Sequence, residues 1–366
     1  MSLKGAPVTH RTWLRAVAFV VTQLTAQSVL AWCTVPEAQA MTPGTPDTAL
    51  RTPASIGPKY DKYEAWPDAV TAANGYIVLV HGSTDSHGFP SRRTTVVRVS
   101  KDKGTTWRTV RILTTPNMTG LGGIVRLPSG RLVLMLSDVK GHDDFNWVQT
   151  YASDDHGATW KPLSGRTAWT DPWSFGNIER ITCPGTAPRL MVTWNNGTAW
   201  GVASSADEGR TWTRTTVKTE HHMYEGRLVQ VPGTSRLIAI GRSKELGPIL
   251  FKSPDCGATW TSHLTEIPPY VTEGAVRHGS TLRMVTISRY DQRMEVRDAH
   301  LPTLYDDATA WSSPRLLRQL KPAGLVDIGY PVVLSASRSF DLVFWYGPTK
   351  TPKAPMIYGA RMAWRG

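Results

Sequence analysis

Three cysteines in 366 residues are too few for a disulfide scaffold or for a zinc site built on thiolates. Runs of basic residues are missing too: the chain holds 41 Lys and Arg against 29 Asp and Glu, a formal net charge of +12, yet nowhere five or more in a row. Charge spread in this way argues against nucleic-acid binding and suits a polyanionic glycan better. The sequence has no glycine-rich phosphate loop, no Ser-based triad motif and no nucleotide fingerprint, so no cofactor is expected. It also lacks a nameable amphipathic helix. What it has instead is 15 Trp, 31 Gly and 26 Pro, with 40% apolar and 19% charged residues. That mixture excludes a disordered chain and points to β-structure with many turns.

Only one apolar run is of any length. Residues 1–15 carry Lys4, Arg11 and Arg15 and no acid, the run follows from Ala16 to Trp32, and Ala38-Gln39-Ala40 supplies a small-x-small cleavage pattern. This reads as a secretory signal over residues 1–40, cut after Ala40, and it predicts a secreted or periplasmic protein. Thr22, Gln23, Thr25, Gln27 and Ser28 interrupt the run, which makes it a poor membrane span. Trp32 before Cys33 departs from the small residue that a lipidation motif needs. Once the leader is removed, Cys183 and Cys256 remain, as one disulfide or as two buried thiols. Residues 41–59, rich in Pro and Thr, read as a linker.

The pattern Ser-x-Asp-x-Gly-x-Thr-Trp occurs at Ser100 to Trp107, Ser153 to Trp160, Ser205 to Trp212 and Ser253 to Trp260. Its aspartates, Asp102, Asp155, Asp207 and Asp255, lie 53, 52 and 48 positions apart, and a worn fifth copy survives at Asp306, Asp307, Thr309 and Trp311. The motif has the chemistry of a hairpin turn: a carboxylate that accepts amide hydrogens, a glycine for positive φ and an indole that returns between sheets. Three β-rich runs precede each turn and one follows it, and a sixth unit begins at Gly329. The expected fold is therefore all-β, a six-bladed β-propeller over residues 60–366.

The turns and their spacing resemble the Asp-box (BNR-repeat) proteins, in particular the sialidase superfamily. In the fourth unit Tyr224-Glu225-Gly226-Arg227 followed by Gly241-Arg242-Ser243 is similar to the sialidase segment in which a Glu acts as base for a tyrosine nucleophile and an Arg holds the substrate carboxylate. Asp327-Ile328-Gly329-Tyr330-Pro331 is similar to the segment bearing that tyrosine. The resemblance implies Glu225 and Tyr330 as the nucleophilic pair, Arg242 with Arg293 or Arg289 as carboxylate ligands, and Asp85, in the loop with His87, as the acid/base. A phenol needs an adjacent carboxylate to draw off its proton, and a neutral attacker suits an anomeric carbon that bears a carboxylate.

The first unit departs from the pattern. Where a sialidase shows Arg-Ile-Pro this chain has Ala65-Trp66-Pro67, so one arginine of the triad is missing, and Asp68 offers a second candidate acid. Trp66, Trp147, Trp169 and Trp173 belong to no turn and could stack on sugar. His81 and His87 around Asp85, with His221 and His222 before Tyr224, leave a polysaccharide lyase open as an alternative. A non-catalytic propeller that binds a glycan or a protein is another. The function expected is a secreted exo-sialidase or a glycosidase for a related acidic sugar, without metal, acting as a monomer.

Overall fold

The computed structural model describes residues 54–55, 63–85, 93–114, 118–138, 146–165, 167–169, 174–243, 246–269, 271–320, 327–347 and 355–363. The expected leader lies outside them, as do His87 and Trp173. The β-rich runs form six antiparallel sheets whose strands follow chain order from the axis outward, except for the outermost strand of the sixth. Their innermost strands are Tyr63–Thr71, Met118–Arg126, Ser174–Ile181, Gly226–Gln230, Val271–His278 and Gly329–Ser335. The second strands, such as Ile77–Thr84 and Leu237–Arg242, are buried on both faces, which explains their unbroken apolar runs. Six apolar clusters separate neighbouring blades; one of them joins Tyr63, Ile77 and Leu79 of the first blade to Val332, Phe344 and Tyr346 of the last. The molecule is a six-bladed β-propeller.

Ala54–Ser55, two residues of the expected linker, pair with Gly359 and Tyr358 and form the outermost strand of the sixth blade. The ring is closed by the opposite end of the chain. A short helix, Leu301–Asp306, follows the third strand of the fifth blade and buries Leu301 and Leu304; it leads into the worn copy of the turn, where the Thr309 amide and hydroxyl still donate to Asp307.

The four intact turns share one geometry. In the third blade the Ser205 hydroxyl and the Thr211 amide and hydroxyl donate to Asp207, while the Gly209 amide donates to Ser205 Oγ. Each turn leans on the preceding blade: the Trp212 indole donates to Thr150 Oγ1, and the Trp107 ring meets Phe344 edge-on at 5.5 Å. These turns follow the third strands, at the end of the propeller opposite the starts of the inner strands. On the same side Cys183 and Cys256 form a disulfide between the third and fourth blades.

Four inner strands carry a bulge at the same depth, between Ala65 and Asp68, Leu121 and Ile124, Phe175 and Ile178, and Gly329 and Val332. One extra residue there bends the strand and re-aims a side chain. Glycine admits the close approach that follows: a Cβ on Gly274 would stand 1.8 Å from the Pro331 carbonyl oxygen.

Candidate active site

Two of the bulges present an aromatic residue followed by proline. Trp66 and Tyr330 both sit in the left-handed region, with φ of 56° and 50°, an uncommon conformation for a bulky residue and one that recurs at functional sites. The Tyr330 amide donates to Thr272 Oγ1 on the fifth blade at 3.0 Å, which holds this backbone in place.

From that position the Tyr330 hydroxyl reaches across to the fourth blade and donates to Glu225 Oε1 at 2.9 Å. Arg242, at the end of the next strand, grips the same carboxylate with Nε to Oε2 at 2.9 Å and Nη2 to Oε1 at 3.2 Å. Burial first, and then the Glu225 charge, push the Tyr330 phenol above its ordinary value against the pull of Arg242 and Arg289. At rest it is a neutral donor, with its acceptor and two cations already placed. Arg242 also lies over the Tyr224 ring at 5.1 Å, and His222 meets that ring edge-on.

Of the two candidates on the fifth blade, Arg289 joins this group. Its Nε donates to the Ile328 carbonyl at 2.7 Å, its Nη2 to the Tyr346 hydroxyl at 2.9 Å, and Asp327 lies 3.3 Å away. Asp327 in turn accepts the hydroxyls of Tyr346 and Tyr63. Tyr346 stacks on Tyr330 with centroids 5.8 Å apart, and Trp66 packs beside Tyr63 and Tyr346. Arg293 is paired instead with Glu295 at 3.6 Å and lies half in solvent. Where the first triad arginine is missing, Ala65 is fully buried and the aromatic cluster occupies the corner.

Other expected residues are placed elsewhere. Asp68 does not join the mouth: it is buried below, accepts the amides of Ala69 and Ile124, faces Arg227 at 3.7 Å and lines a cavity of about 280 Å³ on the propeller axis. Burial raises its carboxyl above the ordinary range despite Arg227. Asp85 is exposed, directly after the strand whose Thr84 pairs with Tyr63, and so stands at the mouth. His81 is fully buried and accepts a bond from Arg98 Nε at 3.0 Å. Burial and Arg98 drive it down to about 3, so it is a neutral structural histidine. Trp169 is buried against Phe175 rather than presented to a ligand.

Sequence reasoning overlooked Tyr63, Thr272, Glu273 and Tyr346, and gave Asp327 no task. Tyr346 had a positional signal, because it lies at the end of the second strand of its blade, one residue before Gly347, as Arg242 ends its strand and Arg289 follows the last residue, Ser288, of its own. Among the described residues no cluster of His, Cys, Asp and Glu is suited to a metal ion, and no helix is long and apolar enough to cross a membrane.

No family model and no curated protein matches the chain. Solved structures match its fold at low sequence identity. A protein of unknown function from Dyadobacter fermentans is 17% identical with a TM-score of 0.68, over 87% of this chain and 100% of that one. The α-L-arabinofuranosidase of Fusarium graminearum, solved with arabinobiose, is 15% identical with a TM-score of 0.62, over 86% and 98%. A sialidase from Streptococcus pneumoniae is 10% identical with a TM-score of 0.64, over 86% and 70%.

Proposed function

We propose that this chain is a retaining, exo-acting glycoside hydrolase for sialic acid or a related acidic sugar, exported after removal of its leader. The observation that carries the reading is the 2.9 Å bond from the Tyr330 hydroxyl to Glu225 at the mouth of the propeller. In the first step the Tyr330 oxygen forms a bond to the anomeric carbon as the bond to the leaving group breaks. The phenolic proton passes to Glu225, and Asp85 protonates the departing oxygen. In the second step Asp85 takes a proton from water, the water oxygen replaces Tyr330, and the phenol recovers its proton from Glu225. Arg242 and Arg289 supply the guanidinium groups that a sugar carboxylate would engage. The neighbouring sialidase and arabinofuranosidase structures support glycoside chemistry on such a propeller.

A panel of fluorogenic sialosides, uronides and arabinofuranosides between pH 4 and 8 tests the reading. Release from an acidic sugar with retained configuration, lost in Tyr330→Phe, supports it; silence across the panel discards it. A second reading, a propeller that binds glycan without cleaving it, is favoured by Ala65 and by the carboxylate partners that both arginines already have. It predicts tight binding on a glycan array, retained equally by Glu225→Gln.

A further inference from the structure

The reaction above gives Glu273 no task, although this residue lies among the groups that perform it. It sits on the inner strand of the fifth blade, Val271–His278, which packs between the inner strands of the fourth and sixth. The residue is only 7% exposed, and its Oε2 has no hydrogen-bond partner among the described residues. Glu225 and Arg227 face it from the fourth blade's inner segment and Arg242 from the strand behind. On its own sheet Glu273 lies opposite Thr286, whose hydroxyl accepts Arg297, itself paired with Glu295 at 3.1 Å. From the sixth blade Tyr330 approaches as far as Glu225.

A buried carboxyl with an unpaired oxygen, facing a carboxylate that already holds the Arg242 guanidinium, favours its neutral form. Burial, and then the Glu225 charge, push Glu273 up to about 8. The charges around Glu273 and the nucleophile then pair off, Arg242 with Glu225, Arg289 with Asp327 and Arg227 with Asp68. Ionising Glu273 leaves one negative charge in excess.

We propose that Glu273 is a positioning residue that decides whether Arg242 is available to an anionic sugar: neutral, it leaves the guanidinium to Glu225 and the substrate; ionised, it competes for that guanidinium and repels the substrate. The substrate half of this rests on the acidic-sugar reading, while the charge half does not.

The test compares the wild type with Glu273→Gln, a neutral side chain of the same shape, from pH 4.5 to 9.5. With the acidic substrate from the panel, the wild-type KM is expected to rise several-fold above pH 8 with kcat less affected, and the variant's KM to stay flat. Melting temperatures supply a readout independent of turnover. A carboxyl whose folded value lies above its free value of 4.5 stabilises the fold at low pH and loses that contribution as pH rises to about 8. The two proteins should therefore melt together near pH 4.5, with the variant increasingly the more stable above it. Melting curves that keep a constant separation, or a KM rise that persists in Glu273→Gln, overturn the proposal. If no acidic sugar is processed but the curves diverge, the neutral buried carboxyl stands and the acidic-sugar reading falls. Should the variant fail to fold, carbon-13 titration of the wild-type glutamates decides: a carboxyl signal moving near pH 8 supports the proposal, and none above pH 7.5 overturns it.

Discussion

Tyr330 illustrates how much scaffolding one hydroxyl requires. Its left-handed backbone precedes a proline, its amide is tied to Thr272, its ring rests on Tyr346, and the segment leading to it is clamped by Arg289 through Ile328 and Asp327. Arg289 thus has work before any substrate arrives. Lysine could replace the charge but not the fork that serves three partners, so Arg289→Lys should lose about 1–3 kcal/mol in a urea melt. Turnover should fall with it, because the phenol would no longer be held against Glu225. Glu225→Gln removes the base that takes the phenolic proton and leaves Arg242 without its counter-ion. Its expected cost is a drop of roughly 10²–10⁴-fold in kcat, read in steady-state assays at the pH optimum. A binding-only propeller would show neither loss in function.

At the scale of the element, the turns and the inner strands divide stability from chemistry. The carboxyl of Asp207 is raised by burial, but the Thr211 hydroxyl and amide, with Ser205, outweigh that and hold it below its ordinary 3.8. A depressed carboxyl contributes stability above that value and loses it as the pH falls through the folded one, so the melting temperature should drop steeply below about pH 4. Asp207→Ala should cost about 1 kcal/mol at neutral pH, the low end for a turn near solvent, and leave KM unchanged. The turns were also what made the fold legible, because a hydrogen-bonded hairpin needs a fixed residue at each of five places and repeats them visibly. Inner strands hid more. Their starts at Tyr63, Met118 and Ser174 are not marked in the sequence, since the bulge interrupts the period of two by which a strand is read. Glu225, Tyr330 and Arg242 could be found from contiguous motifs. Tyr63 and Glu273 acquire meaning only when three blades meet, and no local pattern marks them; Tyr346 is marked only by its place near the end of its strand.

Across the whole molecule, six similar sheets share one axis, and the links between them differ in kind. Between the third and fourth blades the link is covalent: Cys183 and Cys256, 73 residues apart, are joined on the side away from Tyr330. Replacing both by serine should lower stability by about 2–4 kcal/mol in a denaturant melt without moving KM. Between the sixth and first blades the link is an apolar cluster and a strand of two residues, Ala54–Ser55. A ring fails at its clasp, and here the clasp coincides with the candidate site, because Tyr63 and Trp66 hang on one side and Tyr330, Tyr346 and Asp327 on the other. On heating, then, the candidate site should come apart while most of the sheets are still intact. Residual activity after brief heating should vanish several degrees below the loss of β-sheet circular dichroism, and a circular permutant with its ends moved between the second and third blades should bring the two temperatures together.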